Sequence, residues 1–146
     1  MIVKYTSKHK PEYERLIKLL WPDISQHDID EIIDEHTTKC NTIFLYLIND
    51  NAVAFLNSSI RNDYVEGSDQ SPTGYIEGIY VLPELTRQGI ARSLVAHLIH
   101  FYKTINIKSI GSDIEIDNKD SDLFHQHIGF KEASINKHFI MKLENE

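Results

Sequence analysis

Residues 74–92, GYIEGIYVLPELTRQGIAR, constrain this chain more than any other stretch. Residues 75–82 form a short apolar run rich in β-formers, interrupted only by Glu77 and Gly78 and closed by Pro83, which predicts a strand buried on both faces. A turn and Gly89 follow, and then Ile90, Leu94, Leu98, Phe101 and Ile105 recur at helical spacing. The unit is strand, glycine-containing loop, helix. The first amides of a helix lack intrahelical partners and the helix dipole is positive there. A terminus entered through a loop of little side-chain bulk is therefore a ready anion site, with phosphate as its usual guest. Glu77 stands out, because a carboxylate inside a buried strand is paired, hydrogen-bonded or at work.

The rest of the chain reads as layers around this unit. Residues 2–5 predict a short first strand at a sheet edge. Pro11 suits a first helical turn, and Tyr13, Leu16, Ile17 and Leu20 share one apolar face. Trp21-Pro22 closes that helix; Ser25 with Asp28 resembles a capping box, and Ile29, Ile32, Ile33 and His36 continue at helical spacing. Residues 42–48 and 52–60 predict a hairpin around Asn49-Asp50-Asn51, residues tolerant of positive φ. Residues 61–73 are polar and predict a long loop from which Tyr64 and Glu66 project. Residues 108–114 predict another strand, with Asp113 near its C-terminal end, where ligands of α/β sheets gather. Asp117 is the expected N-cap of a helix bearing Leu123, Phe124 and Ile128 and ended by Gly129, and residues 131–143 offer one or two final strands. The fold class is α/β, in the α+β sense. With no repeat, linker or low-complexity tract, residues 1–146 are expected to form a single domain.

Composition removes whole classes of partner. A net charge of −7 argues against nucleic acid and anionic membranes and favours a cationic ligand. No apolar run is long enough for a bilayer, and the N-terminus lacks the stretch of a signal peptide. The single cysteine, Cys40, excludes an internal disulfide and fits packing in a reducing, cytoplasmic setting.

Thr86-Arg87-Gln88-Gly89-Ile90-Ala91 resembles the pyrophosphate loop of the GNAT superfamily of N-acetyltransferases, with Thr86 where that family carries Arg or Gln. The run from Glu77 to Pro83, EGIYVLP, resembles more specifically the aminoglycoside 6′-N-acetyltransferases of that superfamily, and the likeness spans residues 21–130. The resemblance implies a mixed, mostly antiparallel sheet splayed at its middle and flanked by helices. It implies acetyl-CoA as cosubstrate without a metal, an aminoglycoside as acceptor, and a homodimer. Arg87, Gln88, Gly89, Ile90, Ala91 and Arg92 then cradle the pyrophosphate, the backbone of Ile79, Tyr80 and Val81 lines the pantetheine arm, and Asn118 contacts the coenzyme. Trp21, Tyr64, Glu77 and Asp113 contact the acceptor. Ser134 occupies the place of a sugar-contacting Glu. His125 stands where many relatives carry the Tyr that protonates the leaving thiolate.

Each residue also has a plainer reading. Trp21 can be a core anchor, Asp113 the cap of a turn, Asn118 an early helix residue, and His125 an exposed helical histidine. Glu77 and Asp113 divide anchoring and proton removal between them, with Glu77 the expected base. Two other functions share these residues: acetylation of a polyamine, small metabolite or protein terminus, and a CoA-binding module without turnover.

Overall fold

The computed structural model describes residues 1–38, 41–68 and 72–144. Cys40 lies outside the described residues, as do residues 69–71 of the long loop. Two compact units divide the chain, Met1–Asp113 and Ile114–Glu146. Among the described residues no helix is long and apolar enough to cross a membrane.

The first unit is built on one five-stranded sheet of β1 (Ile2–Lys4), β2 (Asn41–Ile48), β3 (Asn51–Arg61), β4 (Thr73–Val81) and β5 (Ile110–Ser112), in that spatial order. The first four strands pair antiparallel and β5 runs parallel to β4. The β2–β3 connection is the expected tight turn, with Asn49 at φ 50° and Asp50 at φ 66°. β3 and β4 are longer than the apolar runs suggested: Arg61 pairs with Thr73, so both ends of the expected loop are strand residues. Among the described residues of that loop, Val65 is buried and the Ser68 hydroxyl lies 2.8 Å from that of Thr73.

Side chains alternate across the pleat, and helices cover both faces of the sheet. Ile43 and Leu45 of β2 join a core with Tyr13, Leu16 and Ile17 of α1 (Lys10–Leu20) and Ile29 of α2 (Gln26–Thr37). Phe44, between them, points the other way and meets the rings of His97 and Phe101 on α3 (Ile90–Thr104) at 4.8 and 5.8 Å. α2 starts as its sequence dictates, with the Asp28 amide donating to Ser25 Oγ at 3.0 Å.

In the second unit, α4 (Lys119–His127) is capped by Asn118 rather than by Asp117. The side chain of Asn118 lies three residues before Ser121 and accepts from its amide at 3.2 Å, the reach an N-cap needs. Gly129, at φ 105°, ends the helix as expected. Residues 131–144 form no strand. The expected β-segments have the right side chains, but a strand also needs a ladder partner to satisfy its backbone. Phe139, Ile140, Met141 and Leu143 are instead 82–91% exposed.

Candidate active site

The entry to α3 has the geometry of an anion cradle. Arg87 has φ 64° and Gly89 φ 83°, with Gln88 between them on the negative side. This alternation curls the backbone so that successive amides face one concavity. Ser93 is the first amide of α3 with a carbonyl one turn behind it, donating to Gly89 at 2.9 Å; the amides of Gly89, Ile90 and Ala91 precede that bond. A Cβ placed on Gly89 meets nothing within 4 Å, so the ground in front of it is open to a ligand. Thr86 contributes no phosphate-directed group here, because its hydroxyl donates to the Pro83 carbonyl at 2.9 Å. The residues present fit a pyrophosphate held by backbone.

β4 leads into that loop, and its middle is irregular. Asn57 of β3 stands opposite Gly78 and Ser58 opposite Ile76, which leaves Glu77 as the extra residue of a β-bulge. The bulge inverts the alternation along β4. Tyr75 and Glu77 point to the α1–α2 face, and so do Gly78 and Tyr80 beyond it. Tyr80 accordingly meets Phe55 at 6.3 Å, and the ring of Phe55 packs on Tyr13 of α1. Gly78 has a packing reason to be there: a Cβ on it falls 2.7 Å from the Trp21 indole. β5 pairs with β4 only as far as Ile76 and Ser112. Residues 77–81 therefore continue past the last β5 rung, an opening in the sheet of the kind expected for Ile79, Tyr80 and Val81.

Glu77 is not a fully buried carboxylate, as the sequence suggested; its side chain is 35% exposed. It is paired. Arg61 Nη2 donates to its Oε1 at 2.8 Å and Nε to its Oε2 at 3.2 Å, and Ser59 Oγ donates to Oε2 at 2.5 Å. The Arg61 guanidinium stacks on the Tyr75 ring, 3.5 Å from its centroid, and the Tyr75 hydroxyl donates to Asp113 Oδ2 at 2.9 Å. Glu77 and Asp113 thus belong to one cluster, linked by two residues that sequence reasoning missed. The available signal was spacing: Ser59 and Arg61 alternate on the same face of β3, and Ser59 lies opposite Tyr75. Burial works against the Arg61 cation, but the Glu77 carboxylate, Tyr75 and Asp113 outweigh it and raise its pKa. Burial, then the bond to Asp113, pushes the Tyr75 hydroxyl up to about 12, so Tyr75 remains a donor. Among the described residues Arg61 pairs with Glu77 alone and Asp113 bonds to Tyr75, so the cluster sets two carboxylates against one guanidinium.

Beside the cluster lies a cavity of about 360 Å³, lined by Trp21, Ile32, Glu35, Asn57 and Glu77 among others. Trp21 packs against the buried core, its plainer reading, and also lines the cavity. Glu35, unremarked in the sequence, adds a further carboxylate and accepts from the Asn41 amide. Tyr64 is 77% exposed, with its hydroxyl 3.4 Å from Glu66.

The remaining candidates lie in the second unit. The ring of His125 donates from Nδ1 to the Ser121 carbonyl at 2.7 Å and stands 5.1 Å from Phe130. Asn118 uses its side-chain oxygen as the α4 cap, and Ser134 is exposed.

The chain is similar to proteins of known name. A protein named aminoglycoside N(6′)-acetyltransferase type 1 from Acinetobacter genomosp. 13 is 38% identical over 119 residues, covering 81% of this chain and 82% of its own. The crystal structure of the aminoglycoside antibiotic 6′-N-acetyltransferase AAC(6′)-Ih from Acinetobacter baumannii superposes with a TM-score of 0.89 at 32% identity, over 99% of both chains. The structure of AAC(6′)-Iy in complex with the bisubstrate analog CoA-S-monomethyl-acetylneamine does so with a TM-score of 0.92 at 27% identity, over 98% of both chains. The acetyltransferase (GNAT) family matches residues 7–130, and the chain belongs to that family.

Proposed function

We propose that this chain transfers the acetyl group of acetyl-CoA directly to the 6′-amine of aminoglycoside antibiotics, and so confers resistance to them. The observation that carries this reading is the Glu77–Arg61–Tyr75–Asp113 cluster, an anionic group at the bulge of the strand that runs into the anion loop. The coenzyme supplies the acetyl group as a thioester. The loop around Gly89 holds its pyrophosphate, and residues 79–81 offer backbone to its arm. An ammonium sheds its water against Glu77 and Asp113, and Glu77 takes the proton, directly or through water, so that a neutral nitrogen attacks. A backbone N–H in the opened stretch of β4 faces the oxygen on which charge develops. As the N–C bond forms and the C–S bond breaks, the attacking nitrogen gives up its second proton to water and His125 supplies a proton to the thiolate.

The whole chain acts as one acetyltransferase domain in the cytoplasm, where the thioester is available. The exposed apolar series from Ile135 to Leu143 supports a homodimer in which this segment finds its strand partner on a second copy. The test of function is incubation with acetyl-CoA and kanamycin or tobramycin. One thiol released per antibiotic that gains an acetyl group is the expected result. Thiol release only with polyamines moves the acceptor class, and coenzyme binding without turnover leaves a CoA-binding module.

A further inference from the structure

Asn57 is a buried amide with half of its bonding capacity unused. The residue is only 4% exposed. Its Oδ1 accepts from the Tyr13 hydroxyl at 2.8 Å. Tyr13 sits on α1 with no exposed surface, and burial drives its hydroxyl pKa upward, so its proton stays in place and needs an acceptor. That need fixes which end of the Asn57 amide faces the core. The other end, Nδ2, has no hydrogen-bond partner among the described residues. Every fully buried side-chain nitrogen or oxygen among them has a partner, so the Nδ2 donors sit where the cavity reaches them.

The cavity assigns these donors a ligand. An ammonium has no lone pair to offer an N–H, and Glu77 in the same cavity already suits the cation. What Nδ2 can bind is an acceptor oxygen, and an aminoglycoside offers such oxygens in its ring hydroxyls. The Trp21 indole, seated over Gly78 directly across from Asn57, provides a flat apolar wall for a sugar ring. Resting on the aminoglycoside reading above, we infer that Asn57 binds a ring hydroxyl of the acceptor sugar that carries the reacting amine. We further infer that Tyr13 is the positioning residue that holds its donors toward that hydroxyl. A sugar lacking the hydroxyl leaves a desolvated donor unpaired, which is the asymmetry that makes such sites selective.

The test compares kanamycin B with its 3′,4′-dideoxy counterpart, which differ only in hydroxyls of that ring. For the wild-type protein kcat/KM is expected to favour the hydroxylated antibiotic by about tenfold or more, the worth of one neutral hydrogen bond and the penalty of losing it. In the double variant Tyr13→Phe, Asn57→Leu both partners become apolar together, so no buried group is stranded and the fold is spared. Its ratio falls toward one through loss on the hydroxylated antibiotic. Tyr13→Phe alone gives an intermediate ratio, because the amide is free to turn. A merely structural pair moves stability and leaves the ratio where it was. A wild-type ratio near one, or an unchanged ratio in the double variant, overturns the inference. Failure of the wild-type protein to acetylate either antibiotic overturns the aminoglycoside reading itself.

Discussion

The anion loop and the acceptor cavity are joined by one strand, yet they are made of different material. The loop works through backbone: two residues with left-handed φ and the first amides of α3, with the hydroxyl of Thr86 turned into its own turn. The cavity works through side chains drawn from the end of α1, α2, β2, β3 and β4. A backbone site tolerates change in most of its side chains and is destroyed by one wrong conformation. A side-chain site tolerates little at any position, but each loss is partial. The bulge at Glu77 is where one construction gives way to the other.

The largest expected effect breaks the loop alone. Gly89→Glu forces a side chain into a left-handed position and sets a carboxylate against the phosphates. Like charges in contact cost several kcal/mol, so coenzyme affinity measured by calorimetry falls by at least about a hundredfold. Unchanged affinity in a folded variant dissolves the distinction between the two regions.

Next come the carboxylates, which sharpen the cavity side. Glu77→Gln removes the base and lowers turnover by about 10²–10⁴-fold. Asp113→Asn keeps a hydrogen bond to Tyr75 but loses charge, and raises the Michaelis constant for the antibiotic first, as loss of uniform binding does. Steady-state kinetics with the opposite pattern exchange the two roles.

These tests rest on features of unequal legibility. Gly89, the Ser25 cap and the Asn49-Asp50 turn were readable because each is decided within a few residues. Glu77 and Asp113 were readable as two carboxylates that share one site. Arg61 and Tyr75 were not, since their meeting depends on β3–β4 register, which a single-residue bulge resets. Asn57 was invisible for the same reason: its meaning comes from Tyr13, 44 residues earlier, and from a cavity that local sequence does not encode. The final segment failed in the other direction. Residues 131–143 have strand chemistry, but β-propensity describes fitness for a sheet that neighbours must supply.

A smaller effect separates the regions by charge. Raising salt screens the acidic cluster more than an array of amides around a phosphate, with a Debye length of roughly 8 Å at physiological ionic strength. The Michaelis constant for the antibiotic therefore rises more steeply than that for acetyl-CoA. Equal or reversed slopes contradict the acidic cavity.

The smallest effect lies at alkaline pH. Tyr75 titrates near 12 in the fold against 10 ordinarily, so its contribution to stability is complete below pH 10 and is lost as pH climbs through 12. Tyr75→Phe flattens the stability profile in that window. An equally steep profile in the variant means that Tyr75 does not couple to the cluster through its proton.

The central claim, that the cluster at the bulge presents a 6′-amine to the coenzyme, meets its most direct test in two antibiotics that differ at one atom. Neomycin carries an amine at the 6′ position and paromomycin a hydroxyl. With acetyl-CoA in excess, the account predicts stoichiometric thiol release with neomycin and only background release with paromomycin. Equal release from both, or release from neither, contradicts it.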